Sequence, residues 1–220
     1  EGYKNRLAGV MRGMLFMAFP ATIGLMVIST PLITVMFERG EWVREDTLAT
    51  AWALTFFALG IAGHSLLEVL SRAFYALSDT WTPVSVGIAA MVSNIVLSVI
   101  LIRFIGEPGS LARGPFAGLA LANSLTTLIE AAFLWWLLKQ RINGINDRYI
   151  INGAARALAA ALLMGLCVWI IDTTVLNNTH SLLRVGIGGT MGAIIFFGLT
   201  LILRIDEGMT LLRRLRIIRT

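Results

Sequence analysis

The stretch VSVGIAAMVSNIVLSVILI, residues 84–102, decides the fold class. It contains no charged residue, and at a helical rise of about 1.5 Å per residue it covers roughly the 30 Å of bilayer hydrocarbon. Apolar residues occupy every side of such a helix, whereas a barrel strand would alternate apolar and polar positions over about ten residues. Five more runs have the same character, at residues 13–37, 48–70, 116–138, 154–171 and 185–203, and the run at 154–171 is the shortest. Polar breakers separate them at 38–41, 78–83, 106–115, 143–147 and 172–181. The expectation is an all-α fold, a polytopic transmembrane helical bundle with about six membrane-spanning helices.

Composition agrees with a lipid solvent. Of 220 residues, 57% are hydrophobic and 14% charged, and the mean hydropathy is +0.79; a water-soluble domain of this size cannot bury so much apolar surface. The net charge is +5, but Lys and Arg fall between the apolar runs and form no single basic face, so no nucleic-acid partner is expected. Cys167 is the sole cysteine and lies inside an apolar run. It offers neither an intrachain disulfide nor a thiolate cluster, and no metal or cofactor is expected. The chain starts at Glu1, with Lys4, Arg6 and Arg12 flanking its first run. That start reads as a fragment, and the run after Arg12 lacks the small-residue cleavage site of a signal peptide.

Positive charge gives an expected orientation. With the N-terminus in the cytoplasm, 13 of the 18 Lys and Arg residues lie inside, leaving Arg39, Arg44, Arg103, Arg113 and Arg184 outside. The positive-inside rule then puts both ends in the cytoplasm. Residues 209–219 place Leu211, Leu212, Leu215 and Ile218 along one side of a basic segment. That segment reads either as a short amphipathic helix on anionic headgroups or as a solvated basic tail.

Polar residues inside the runs are the functional candidates, because a polar or charged group at membrane depth is costly unless paired or facing water. His64, Glu68 and Arg72 stand at i, i+4 and i+8 on one helix face, with Glu68 before Arg72 in the favourable ion-pair order. Asn123, Thr127 and Glu130 share a face of the fourth run, and the third run adds Asn94 and Ser98. Hydrogen bonds between helices explain the amides and hydroxyls without a transport role. Glu130 reads instead as a cavity-facing carboxylate or the partner of a basic residue. Pro20 and Pro31 can kink the first run. The two histidines are remote from each other, and no nucleophile with its base, no metal-ligand spacing and no phosphate loop is present, so no catalytic residue is assigned and an enzyme is not expected.

Two loop motifs carry a resemblance. The first run holds Pro20, Gly24-Leu25 and Pro31-Leu32-Ile33 and ends Phe37-Glu38-Arg39-Gly40-Glu41-Trp42. About thirty residues further on stands Arg72-Ala73-Phe74-Tyr75-Ala76-Leu77-Ser78-Asp79-Thr80-Trp81-Thr82-Pro83-Val84. In order and spacing these resemble the MurJ (MviN) family of lipid II flippases, within the MOP exporter superfamily. The resemblance rests on Phe37, Arg39, Gly40, Arg72, Phe74, Tyr75, Asp79, Thr82 and Pro83, is strong over residues 13–84, and depends on helix number and length beyond them.

It implies a fourteen-helix transporter of two six-helix lobes plus two C-terminal helices, in the bacterial cytoplasmic membrane. Residues 1–145 would be four helices of the second lobe; residues 146–220 would be the extra pair, forming an apolar groove for a lipid tail, plus a basic cytoplasmic tail. The implied cargo is lipid II, the undecaprenyl-pyrophosphate-linked precursor of peptidoglycan, and the implied partners are membrane lipids and the missing N-terminal lobe. Cell-wall biogenesis and cell shape would be the processes served. The family's pyrophosphate-binding residues fall mainly outside this chain, so none is assigned; the motif reads as a structured cytoplasmic turn in which Asp79 or Thr80 caps a helix and Pro83 starts the next. Two alternatives stand beside this reading: an exporter of another polyprenyl-linked polysaccharide or a cation-coupled drug antiporter of the same superfamily, and a non-transporting scaffold for cell-wall proteins.

Overall fold

A computed structural model describes residues 2–107, 109–176, 179–203 and 205–209. It contains seven principal helices, α1 Gly2–Phe37, α2 Arg44–Ala58, α3 Ile61–Ala76, α4 Trp81–Leu101, α5 Ala117–Arg141, α6 Asp147–Thr174 and α7 Ser181–Ile202. A helical turn follows at 206–209, and no strand occurs among the described residues. Five of these helices are long and apolar enough to cross a bilayer, and six crossings result when α2 and α3 are taken as one bent span. The expected all-α bundle of about six spans stands. The basic segment expected at 209–219 lies, after Met209, outside the described residues.

The run at 48–70 reads as one continuous span, but in the structure it is two helices bent by 42° at Leu59 and Gly60. No proline is involved. Ser124 of α5 presses into the break, where its hydroxyl donates to the carbonyls of Phe56 (2.6 Å) and Phe57 (3.3 Å). The Phe57 carbonyl also accepts from the Gly60 amide at 3.0 Å, so the hydroxyl serves chiefly the Phe56 carbonyl, which in hydrocarbon has no water to turn to. Gly60 permits the approach, since a Cβ there would lie 2.9 Å from Ser124 Oγ and 3.2 Å from its Cα. Gly63 brings α3 against the α5 backbone in the same way. The sequence shows two glycines in an apolar run; only the facing serine turns them into a break.

Two other spans exceed their apolar runs by ten residues or more. The first helix starts at Gly2, so its 36 residues extend about 54 Å, well beyond the hydrocarbon, and Pro20 and Pro31 are accommodated inside it without ending it. The shortest run, 154–171, sits within the 28-residue α6, whose start is capped by the Asn146 side chain accepting from the Tyr149 amide.

One buried cluster joins α1, α3 and α5 through Met11, Leu15, Leu70, Phe74, Leu134 and Leu138. A second joins α1, α6 and α7 through Phe16, Ala160, Ala161, Met164 and Phe196. The seam between α6 and its neighbours is built from small residues, as expected where lipid removes the hydrophobic drive and close packing must hold helices together. A Cβ at Gly165 would overlap the Ile23 side chain of α1, and Gly188 and Gly192 of α7 pack against Val168 and Met164. By contrast α4 packs almost wholly on α5, and Pro83 is its one buried residue. Its apolar sides, including Ile88, Met91, Ile95 and Val99, remain open.

Candidate functional site

The two sequence motifs mark opposite ends of the bundle, because α1 runs the full distance between them. At the far end, Gly40 takes φ +64°, a conformation that favours glycine, and lets the chain turn after Phe37. Phe37 stacks on Trp42 with ring centroids 5.5 Å apart. The Trp42 indole donates to Thr47 (3.0 Å), and the Thr47 hydroxyl donates to Glu38 (3.0 Å). Arg44 donates to Glu38 at 3.2 Å and to the Thr34 hydroxyl at 2.9 Å, while Arg39 reaches back to the Val35 carbonyl. Partial desolvation pushes the Glu38 carboxyl up, but the hydrogen bonds from Thr47, Arg44 and Thr34 outweigh it and hold Glu38 below the usual glutamate range.

At the near end the second motif closes α3 and opens α4. Phe74 is buried in the first cluster and Tyr75 is exposed. Asp79 accepts from the Thr82 amide (3.1 Å) and the Thr82 hydroxyl (2.8 Å), capping α4 just ahead of Pro83. These two bonds, with the Arg141 guanidinium 3.3 Å away, hold the Asp79 carboxyl below the usual aspartate range. Asp79 thus ties the α3–α4 turn to the end of α5. The Tyr3 hydroxyl meets the Ala73 carbonyl at 3.5 Å, Lys4 donates to the Asn143 carbonyl at 3.1 Å, and Lys139 pairs with Asp147. The starts of α1, α4 and α6 and the ends of α3 and α5 therefore gather at one end of the bundle.

The intramembrane candidates do not converge on one site. Glu130 stands near the middle of α5 and lines a groove of about 660 Å³ between α4 and α5. Ser85 and Ser93 of α4 and Thr126 of α5 line the same groove. Thr126 was not among the expected residues, yet it precedes Glu130 by four positions, and its buried hydroxyl has no hydrogen-bond partner among the described residues. Thr127 turns inward instead and donates to the Asn123 carbonyl of its own helix at 2.8 Å. Asn94 and Asn123 are half-buried and lie outside the groove lining.

The stripe on α3 also divides. Glu68 and Arg72 pair with each other and line a second groove, of about 440 Å³, against the start of α1. His64 is exposed on the same face but does not line that groove. A third groove, about 320 Å³ and almost entirely apolar, lies between α1, α6 and α7 over Gly24, Gly165 and Gly189.

A buried ionic cluster escaped the reading of the sequence. Arg12 of α1, 5% exposed, pairs with Glu207 and, at 3.3 Å, with Asp206, both beyond α7. Its guanidinium carbon lies 4.3 Å from the Tyr149 ring centre on α6. Gly153 leaves the space it fills, since a Cβ there would overlap the guanidinium. Arg12 counts in sequence as one more flanking positive charge, and its partners lie 194 positions and more away. Asp172 and Arg184 form a second unforeseen pair, joining α6 to α7 with Arg184 Nε donating to Asp172 Oδ1 at 2.8 Å.

Comparison with known proteins adds a family. The family model described as "Lipid II flippase MurJ" matches residues 1–208. A "Probable lipid II flippase MurJ" of Vibrio cholerae is 33% identical over 174 residues, covering 79% of this chain and 31% of the relative. The "Lipid II flippase MurJ" of Thermosipho africanus is 30% identical over 139 residues, covering 63% of this chain and 27% of that protein. A solved structure titled "Lipid II flippase MurJ, inward closed conformation" superposes with a TM-score of 0.73 at 24% identity, covering 93% of this chain and 40% of that one, and shows the same fold. This chain spans about a third of the length of the relatives it matches.

Proposed function

This chain belongs to the lipid II flippase MurJ family, and from that premise we propose that it contributes six membrane crossings to a flippase for a polyprenyl-pyrophosphate-linked peptidoglycan precursor. The match of the family model over residues 1–208 carries the proposal. A flippase moves its cargo between leaflets without covalent chemistry, and it needs a hydrated path for the headgroup while the tail remains in lipid. Residues 1–145 supply lobe helices in this proposal. Residues 146–220 supply the added pair, whose apolar groove against α1 suits a hydrocarbon chain.

The α4–α5 groove is the face we assign to the path. Thr126, whose hydroxyl has no partner among the described residues, and Glu130 lie at a depth where they need water or partners, while the Ser85 and Ser93 hydroxyls donate to carbonyls of their own helix. Glu130 is a poor ligand for a pyrophosphate, which its charge repels. Its role in the proposal is to keep the groove hydrated and to pair with a basic residue of a neighbouring helix. Asn94, Asn123 and Thr127 act as helix-packing groups beside it. The end bearing the Asp79 turn and the start of α1 faces the cytoplasm, because most Lys and Arg residues gather there. The family match favours neither another cargo nor a non-transporting scaffold.

The test is a chimera in which this chain replaces the matched segment of the Vibrio cholerae relative, expressed in a bacterium depleted of its own flippase. Growth and normal cell shape are expected. A chimera that inserts at the normal level but leaves the cells to lyse would refute the proposal.

A further inference from the structure

The groove between the start of α1 and the end of α3 has the composition of a lipid-headgroup site. Arg6, Val10 and Met14 succeed one another at four-residue intervals down one face of α1, and all three line the groove. Arg72 and Glu68 line it from α3, and Tyr3 closes its outer end by bonding to the Ala73 carbonyl. The membrane level is set by the apolar runs. Arg6 lies two turns outside the run that starts at residue 13, and Arg72 lies just past the run that ends at residue 70. Both guanidinium groups therefore reach the layer in which lipid phosphates lie, and Val10 and Met14 lead from that layer toward the hydrocarbon.

We propose that this groove binds an acidic glycerophospholipid, its phosphate between Arg6 and Arg72 and one acyl chain along Val10 and Met14. Charge supports an anionic occupant. Arg72 is paired with Glu68, but its side chain is 75% exposed, so it keeps free N–H donors toward the groove. Arg6, also exposed, is a second cation in the lining. Apolar Val10 and Met14, 49% and 40% exposed, suit a chain and not a free ion. The volume of about 440 Å³ equals about fifteen waters at roughly 30 Å³ each, enough for a phosphate and the first part of one chain. Glu68 opposes the occupant and tunes the site downward.

The experiment is native mass spectrometry of the full chain in detergent with equal amounts of a phosphatidylglycerol and a phosphatidylcholine of the same chains. Wild type is expected to retain phosphatidylglycerol preferentially. Each of Arg6→Gln and Arg72→Gln is expected to lower that preference about fivefold, and the pair about twenty-fivefold. Glu68→Gln is expected to raise it, a result that a purely structural ion pair would not produce. Arg103→Gln, at the other end of the bundle, leaves it unchanged, and excess inorganic phosphate does not displace the lipid. The proposal is overturned if wild type shows no preference, if the double variant keeps it, if Glu68→Gln lowers it, if Arg103→Gln costs as much, or if inorganic phosphate competes.

Discussion

Replacing Arg12 by Met tests whether a buried charge ties the segment after α7 to the rest of the bundle. The substitution keeps most of the side-chain volume and removes the cation. Glu207, whose side chain is 15% exposed, then faces a nearly dry site without its partner, whereas Asp206, 68% exposed, remains solvated. Breaking one side of a buried pair costs about 3 kcal/mol, because the remaining charge is left uncompensated. The cheapest escape for Glu207 is to leave, so the loss should appear as local undocking and not as global unfolding. In the structure the Ile205 amide donates to the Thr200 carbonyl at 2.9 Å and the Met209 amide to the Ile205 carbonyl at 3.1 Å. Hydrogen exchange at these amides should accelerate roughly a hundredfold, at about 1.4 kcal/mol per decade, while amides in the middle of α5 change little. Arg12→Met with Glu207→Gln should recover much of the loss, since no charge is then stranded. Gly153→Ala should reproduce the single variant, its methyl group displacing the guanidinium. Exchange at residues 205–209 that rises less than threefold in Arg12→Met, or strictly additive effects in the double variant, would refute the reasoning.

Other consequences follow from the same contacts. Ser124→Ala removes the hydroxyl donor from the Phe56 carbonyl, while the Phe57 carbonyl keeps the Gly60 amide, and should cost about 1–2 kcal/mol, read as a lower melting temperature in detergent; an unchanged melting temperature would mean that Ser124 does not hold the α2–α3 break. Gly165→Ala forces a methyl group against Ile23 and should cost about 1–3 kcal/mol, with Ile23→Ala restoring part of the loss; failure of that rescue would place the strain elsewhere. Asp79 has a folded pKa below its unfolded value, so its cap contributes fully above the ordinary aspartate pKa of about 3.9 and is lost as pH falls through that value toward the lower folded one. Exchange of the Thr82 amide should rise across that acid window in wild type and be insensitive to it in Asp79→Asn; identical profiles would contradict the cap. Cysteine at position 130, in a chain with the exposed Cys167 replaced by Ser, should react with a membrane-impermeant thiol reagent in the chimera if the α4–α5 groove is hydrated; complete protection from both sides would remove that groove from the proposed path.

The sequence by itself determined what depends on local composition. Apolar run length fixed the class and the number of crossings, because hydrocarbon thickness and helical rise leave little freedom. Spacing put Glu68 beside Arg72, and the order of the two loop motifs pointed to the family. Tertiary structure decided what depends on contacts between distant residues. The break in the second span requires Ser124, more than sixty positions from the carbonyls it satisfies. Arg12 became a buried ion-cluster residue because α1 overshoots the hydrocarbon and meets Asp206 and Glu207. Spacing puts Thr126 on the face of Glu130, but the way α4 lies on α5 made that face the wall of a groove, whereas Thr127, one residue on, turned into its own helix. Helical periodicity says which residues share a face. Only packing says whether that face meets lipid, water or another helix, and in a membrane, where apolar residues cover every side, hydropathy gives no signal to tell these apart.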